Sequence, residues 1–158
     1  MQIEKRIEKL GLELPKPQPP GALYVPVKRS KNLLFLSGQV PMRDGVPIYT
    51  GKIGNERDLE YGIEAAKMCV LNMLSSLKDY CGDLDKIKEV IKLQIFVSSD
   101  IGFGKQHIVG NAASQILIDV FGTAGYHART AVGTNQLPLN FSVEIEGIFD
   151  IGDDFDEI

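Results

Sequence analysis

Residues 127–149 read HARTAVGTNQLPLNFSVEIEGIF and carry the strongest structural signal of the chain. Two runs rich in β-branched and aromatic residues, 127–134 and 141–149, flank a short segment with asparagine and proline, so the pattern predicts two strands joined by a loop. The second strand alternates between apolar and polar positions. One face carries Phe141, Val143, Ile145 and Phe149, and the other carries Ser142, Glu144, Glu146 and Ile148.

Two amphipathic helices are predicted upstream of these strands. Apolar residues recur every three or four positions over residues 56–80, where Asn55 is in position to cap the first turn. The same periodicity runs over residues 103–121, and this second helix is predicted to begin near Asp100. A glycine follows each run and can end the helix.

Further strands are predicted in the first part of the chain and between the two helices. Residues 23–27 and 33–37 are β-rich runs around the polar KRSKN, which predicts a hairpin, and residues 40–49 contain a turn at 43–45. The alternation over residues 87–98 predicts a long strand whose apolar side carries Ile87, Ile91, Leu93, Ile95 and Val97.

These elements predict one α+β domain that spans residues 1–158. Residues 3–12 have the apolar spacing of a short helix, a proline-rich arm completes the segment 1–21, and the acidic segment 150–158 is predicted to be a frayed tail. The recurring order of strand, helix and strand predicts one sheet with both long helices on one face. The other face would be too polar for a core and too apolar for solvent, so we expect an oligomer.

The composition is that of a globular protein without general affinity for nucleic acid. Hydrophobic residues make up 44% and charged residues 24% of the 158 positions, and the formal net charge is -4. The start lacks a signal core and no run is long enough to cross a bilayer, which favours the cytoplasm. Cys69 and Cys81 lie too far apart along a helix for a disulfide, and the two cysteines and two histidines show no metal-ligand spacing.

Arg129 is the first candidate for binding chemistry. Its strand and that of Glu144 follow each other in sequence, so we expect the strands to be neighbours and the two side chains to face each other. A guanidinium can hold a substrate carboxylate through two parallel hydrogen bonds. A structural salt bridge with Glu144 is the commoner arrangement, and spacing alone favours it.

Four further residues could contact a ligand, each with a simpler structural alternative. Ser37 could donate its hydroxyl to a ligand or only end a strand, and Tyr24 could stack on a ligand or fill a half-buried strand position. Asn111 could bind a neighbouring loop or face solvent. His127 shares a strand face with Arg129 and could be a general base or satisfy local hydrogen bonds. The chain has no GxSxG elbow, P-loop or dinucleotide fingerprint.

Several segments together have the pattern of a known family: LFLSGQVP at 34–41, IFVSS at 95–99, the helix around Asn111 and, most specifically, residues 127–149. In these segments the chain resembles the reactive-intermediate deaminase family, RidA, also called the YjgF family. The resemblance implies a chorismate-mutase-like fold assembled as a homotrimer with three clefts between subunits. It also implies hydrolysis of 2-enamine and 2-imine acids to 2-oxo acids and ammonia, with no metal or organic cofactor.

The resemblance further implies roles for individual residues. Arg129 would hold the carboxylate of the substrate, and Glu144 would lie near the reacting water, either positioning it or donating a proton. Tyr24, Ser37 and Asn111 match pocket residues of the family.

Two positions depart from the commoner family pattern. Many deaminating members have a cysteine where this chain has Ala131, whose backbone N–H is retained, and a proline where it has His127. The alternatives are therefore a trimer that binds or senses small carboxylic acids without turnover, or a ribonuclease. The net acidity and the absence of an acid–base pair of histidines disfavour the ribonuclease.

Overall fold

The structure is a computed structural model that describes residues 2–19 and 22–153. In chain order its helices and strands are α1 (Gln2–Lys9), β1 (Val27–Ser30), β2 (Leu33–Gln39), β3 (Met42–Arg43), β4 (Val46–Pro47), α2 (Leu59–Cys81), β5 (Glu89–Ser98), α3 (Gln106–Phe121), β6 (Ala128–Thr134) and β7 (Val143–Asp150). Within the described part of the chain, no helix is long and apolar enough to cross a membrane. Of the predicted acidic tail, residues 154–158 lie outside the described residues.

Five strands form one mixed sheet in the order β1-β2-β7-β5-β6, and β3 pairs with β4 in a separate hairpin. Neighbours in the large sheet are antiparallel except β5 and β6, which run parallel because α3 connects them. The helices α2 and α3 contact each other and share one core with the sheet. The predicted α+β fold, with both long helices on one face, is confirmed.

The core lies between the two long helices and the sheet. Its fully buried apolar strand residues include Leu34, Leu93, Ile95, Val97, Val143, Ile145 and Phe149. Burying an aliphatic or aromatic side chain of this size stabilises a fold by roughly 1.5–3 kcal/mol. Cys69 and Cys81 are buried and unpaired, as predicted, and burial raises the pKa of the Cys81 thiol to about 11.

The first hairpin begins later in the chain than predicted. β1 starts at Val27 and is joined to β2 by a two-residue turn at Lys31 and Asn32, where Lys31 has a φ of 54°. The strand predicted over residues 23–27 is therefore wrong apart from its last residue. Pro26 has no backbone N–H to donate, so the regular pairing begins after it.

Two other predictions in the first part of the chain are confirmed. The amphipathic helix α1 ends at Lys9, just before Gly11, whose φ of 70° favours a residue without a side chain. The turn at residues 43–45 joins β3 to β4, with Asp44 at a φ of 51° and Gly45 at 76°. The end of α1 and the turn between β3 and β4 therefore both occur where the sequence has a glycine.

An irregular pairing changes the predicted faces of β5. The register with β7 shifts between Val90 and Lys92, so one residue of β5 has no opposite partner. Val90 is consequently buried, while Ile91 is only partly buried. The prediction that Ile91 belongs to the same apolar face as Leu93 is wrong.

Both predicted helix starts are wrong in detail. The N-cap of α2 is Asp58, whose carboxylate accepts from Tyr61 N at 2.8 Å, and not Asn55. The N-cap position of α3 is Lys105, and no side chain caps it. Asp100 instead accepts from the backbone N–H groups of Asn55 at 2.6 Å and Glu56 at 3.1 Å, so it orders the loop before α2.

Replacing Asp58 with Ala is expected to destabilise the protein by about 1 kcal/mol, because an orphan N–H of α2 loses its acceptor. For a chain of this length, that loss lowers the melting temperature by about 2–4 °C in thermal unfolding. Asn55→Ala is the matched control and should leave the melting temperature unchanged. An equal loss in both variants would contradict the assignment of the cap.

Candidate active site

Arg129 and Glu144 do not lie on neighbouring strands, contrary to the sequence prediction. β5 runs between the two strands that carry them. Arg129 pairs with Leu93 on one side of β5, whereas Glu144 pairs with Phe96 on the other side. Two strand spacings and three residues along the strands place the two Cα atoms on the order of 14 Å apart. The prediction that these two strands, which follow each other in sequence, are neighbours in the sheet is wrong.

The two side chains also leave the sheet on opposite faces. Leu93, the register partner of Arg129, is fully buried beneath the helices, and Arg129 points toward α3. Glu144 alternates with the buried Val143 and Ile145, so it points to the face without helices. This geometry excludes the salt bridge within one chain that spacing alone favoured.

Arg129 is held by three neutral acceptors on α3. Its Nη1 donates to Asn111 Oδ1 at 3.0 Å and to Ser114 Oγ at 3.1 Å, and its Nη2 donates to the His107 carbonyl at 3.2 Å. We call these four residues the arginine cradle. Across residues 2–19 and 22–153, no carboxylate pairs with Arg129, and its Nε–H and one Nη2–H have no acceptor. The guanidinium is thus oriented but keeps its charge and two donors.

Gly110 allows β6 to approach α3 closely enough to form the cradle. A Cβ at this position would lie 3.2 Å from Arg129 Cζ and 3.4 Å from Ala131 Cβ. Asn111 and Ser114 are three residues apart on α3 and therefore share the face that meets Arg129. The structure thus brings Arg129, Asn111 and Ala131 of the predicted site together.

His127 extends the hydrogen bonds of the cradle. Its Nδ1 lies 2.6 Å from the Gly125 carbonyl, and its Nε2 lies 2.9 Å from Ser114 Oγ. Burial lowers the pKa of His127, the positive charge of Arg129 lowers it further, and the Gly125 carbonyl opposes both effects. Burial and the charge of Arg129 therefore both favour the neutral ring.

Glu144 lies beside a separate cavity of about 180 Å³, which we call the glutamate pocket; its lining includes Tyr24, Gly38, Asn72, Phe141 and Glu144. Gly38 makes room for the carboxylate, because a Cβ at that position would clash with Glu144 Oε1. Burial raises the pKa of the Glu144 carboxyl, and the negative charge of Glu146 raises it further. A carboxyl in this state exchanges protons closer to neutral pH than an exposed glutamate does.

Tyr24 and Ser37 have different positions relative to this pocket. The pairing of β2 with β7 is irregular between Leu36 and Gln39, and Ser37 lies within that irregularity. Its hydroxyl donates to the Val25 carbonyl at 2.7 Å, which ties the segment before β1 against β2. Tyr24 lines the pocket and is 49% exposed, whereas Ser37 is not among the lining residues.

Four residues of the two clusters are not predicted from the sequence, namely His107, Ser114, Asn72 and Gly38, and His107 contributes only its backbone carbonyl. Ser114 could have been found from its three-residue spacing to Asn111 on one helix face. Asn72 stands out as an amide within an apolar stripe; it is 3% exposed and donates to the Val40 and Met42 carbonyls at 2.8 and 2.9 Å. Apart from its place in the SGQ segment, nothing in the sequence indicates that Gly38 lines the glutamate pocket.

One group of acidic residues in the described ranges could hold a metal ion, namely Glu4, Asp83 and Asp85. Glu4 Oε1 accepts from Leu84 N at 3.1 Å, and Asp85 accepts from the N–H groups at the start of α1. The group therefore ties α1 to the turn after α2. None of its members belongs to the cradle or to the glutamate pocket.

A family model described as YjgF/chorismate mutase-like, putative endoribonuclease, matches residues 4–149. The chain belongs to the YjgF family. Protein TCP17 from Trypanosoma cruzi is 36% identical over 151 residues, which are 95% of this chain and 94% of that protein. The crystal structure of Atu1372, a protein with unknown function from Agrobacterium tumefaciens, shares 45% identity with a TM-score of 0.88, covering 95% of this chain and 92% of that one.

A second solved structure extends the comparison. A putative endoribonuclease from Shewanella oneidensis MR-1 is 28% identical with a TM-score of 0.90, covering 94% of this chain and 98% of that one. The family and the chorismate-mutase-like fold expected from the sequence are thereby confirmed.

Glu144→Gln is expected to raise the melting temperature at pH 7.5 by about 1–3 °C, because it removes a charge that burial and Glu146 both disfavour. The raised pKa means that the folded state binds the proton more tightly than the unfolded state. Above the pKa that Glu144 has in the folded state, its ionised carboxylate therefore lowers the free energy of unfolding. This destabilisation disappears as the pH falls below the pKa that Glu144 has in the unfolded state.

Calorimetric unfolding at pH 7.5 and pH 4.0 tests whether the charge of Glu144 destabilises the folded state. The exposed Glu60→Gln is the control. The advantage of Glu144→Gln should shrink at the lower pH. If the wild-type protein has a higher melting temperature than Glu144→Gln at pH 7.5, the charge of Glu144 does not destabilise the folded state.

Proposed function

We propose that this protein hydrolyses 2-imine and 2-enamine acids to 2-oxo acids and ammonia, and that Arg129 holds the substrate carboxylate. The observation that carries the proposal is the arginine cradle. Three neutral acceptors on α3 orient the guanidinium without neutralising it, and its Nε–H and one Nη2–H stay available. A carboxylate is the ligand that such a charged, two-donor group binds best.

The cradle and the glutamate pocket are complementary halves that one chain keeps apart. The separation of about 14 Å derived from strand geometry is too large for one small acid to reach both groups. Assembly of the chain as a homotrimer would bring the cradle of one subunit to the glutamate pocket of its neighbour. The helix-free sheet face supports such assembly, because it exposes Phe35 at 42% and Val132 at 40% in the single chain.

The reaction needs few groups from the protein. A protonated imine is already electrophilic at C2, so fixing the carboxylate on Arg129 places that carbon in the cleft. Glu144, as a carboxylate, accepts a proton from water while the water oxygen bonds to C2. The resulting carbinolamine loses ammonia when Glu144 returns that proton to nitrogen, and the C2 oxygen becomes the carbonyl after losing its own proton. The raised pKa of Glu144 suits a group that must both accept and return a proton.

The second candidate is a trimer that binds small carboxylic acids in the same clefts without turnover. Ala131 favours this alternative, because the thiol of many deaminating relatives is missing beside the cradle. Both candidates require Arg129 for binding, and only the first requires Glu144 for product formation. Turnover therefore separates them.

Arg129→Ala is expected to lower kcat/KM by about 100-fold or more, because the carboxylate loses a charge-assisted pair of hydrogen bonds. Arg129→Lys retains charge but not the fork, and we expect a loss of about tenfold. The assay couples threonine dehydratase to the purified protein and follows 2-oxobutyrate. The exposed Lys78→Ala is the matched control for charge. Calorimetric binding of 2-oxobutyrate without any turnover would leave the second candidate standing.

Mixed trimers test whether the two halves come from different subunits. Arg129→Ala and Glu144→Gln subunits are each expected to be inactive alone, whereas trimers assembled from an equal mixture should recover about one quarter of wild-type activity, since a quarter of the clefts receive both native residues. If the mixture stays inactive although mass spectrometry shows mixed trimers, the clefts are not formed from two subunits.

A further inference from the structure

The hydrogen bonds around His127 assign a definite role to each group. The Gly125 carbonyl can only accept, so His127 Nδ1, which lies 2.6 Å from it, carries the ring proton. In a neutral ring, Nε2 is then an acceptor. Ser114 Oγ lies 2.9 Å from Nε2 and must donate its hydroxyl proton there. The remaining lone pairs of Ser114 Oγ are left for Arg129 Nη1 at 3.1 Å.

Without His127, Ser114 would have other options. A serine within a helix can turn its hydroxyl to the carbonyl four residues earlier, or change rotamer altogether. Either change would remove a fixed acceptor from Nη1, and the Asn111 and His107 acceptors alone would orient the guanidinium less strictly. His127 therefore limits Ser114 to one arrangement.

The surroundings of His127 favour the unprotonated ring that this arrangement needs. His127 is half-buried, and the charged group whose field acts on it is Arg129 on β6; both effects lower its pKa, against the Gly125 carbonyl from the turn after α3. On α3, the residue that contacts the ring is the uncharged Ser114. A ring protonated at Nε2 would instead donate to Ser114 Oγ and compete with Arg129 for the same lone pairs.

We propose that His127 is a positioning residue for Arg129, and that its unprotonated Nε2, acting through the hydroxyl of Ser114, holds the guanidinium in the orientation that receives a carboxylate. The identity of the ligand rests on the proposed function, but the relay itself does not. His127 touches neither the substrate nor the reacting atoms. The departure from the commoner proline at position 127 thereby supports binding at Arg129.

A double-mutant cycle tests the relay, with 2-oxobutyrate as the probe and calorimetry at pH 7.5 as the measurement. His127→Leu and Ser114→Ala are each expected to weaken binding about fivefold, the effect of losing one ordinary hydrogen bond. The double variant should bind no more weakly than Ser114→Ala alone, because His127 acts only through Ser114. Ser114→Thr keeps the hydroxyl and should bind within about twofold of wild type.

Two results of the cycle would overturn the relay: His127→Leu binding as tightly as wild type, or single effects that multiply in the double variant. Multiplying effects are what a merely structural role for His127 produces. The exposed Gln115→Ala, whose side chain donates to Asp119 and makes no hydrogen bond within the arginine cradle, is the matched control and should not change binding.

Nitrogen-15 NMR of the histidine rings provides a test that needs neither ligand nor turnover. The chain has only two histidines, so their signals are easily assigned. His127 should carry its proton on Nδ1, and His127→Leu should shift the Arg129 Nε–H signal, whereas Gln115→Ala should not. An Nε2–H tautomer, or an Arg129 signal unmoved by His127→Leu, overturns the relay even if 2-oxobutyrate fails to bind. Absent deaminase activity with the relay intact would refute only the proposed function.

Discussion

The parallel pairing of β5 with β6 is the constraint on which the candidate site depends. A parallel neighbour requires a crossover, and α3 supplies it, so β6 lies at the sheet edge directly beneath the helix that precedes it. Arg129 is thereby placed against α3, where Asn111 and Ser114 can reach it. The same crossover puts β5 between Arg129 and Glu144, and it is the reason that the arginine cradle and the glutamate pocket are separate within one chain.

The arginine cradle and the glutamate pocket differ in the surroundings that they give to a charged group. The cradle surrounds a permanent cation with neutral acceptors, so orientation is fixed while the charge remains available to an anion. The glutamate pocket instead half-buries a carboxylate next to the like charge of Glu146, which raises its pKa and makes proton transfer easier. The arginine cradle is suited to binding an anion, and the glutamate pocket is suited to proton exchange. A hydrolytic deamination needs both properties.

Much of the architecture could be predicted from periodicity, and the contacts across the sheet could not. The stripes of α2 and α3 and the alternation of β7 fix which faces are buried, because burial depends on local spacing. The neighbour of β6 depends on a long-range crossover, and nothing in residues 127–149 reports that β5 intervenes. The bulge at Ile91 and the N-cap at Asp58 could not be predicted from the sequence for a related reason. Several nearby residues satisfy the same local preference, and tertiary contacts choose between them.

The central claim is that one acid is held by Arg129 of one subunit and reached by Glu144 of the next. A crystal structure of the protein with 2-oxobutyrate measures this directly. We predict a trimer in which the carboxylate of the ligand accepts from Arg129 Nε and Nη2, while the ligand carbonyl faces Glu144 of the partner subunit. A ligand bound away from Arg129, or one that contacts Arg129 with no second subunit in the cleft, would contradict the account.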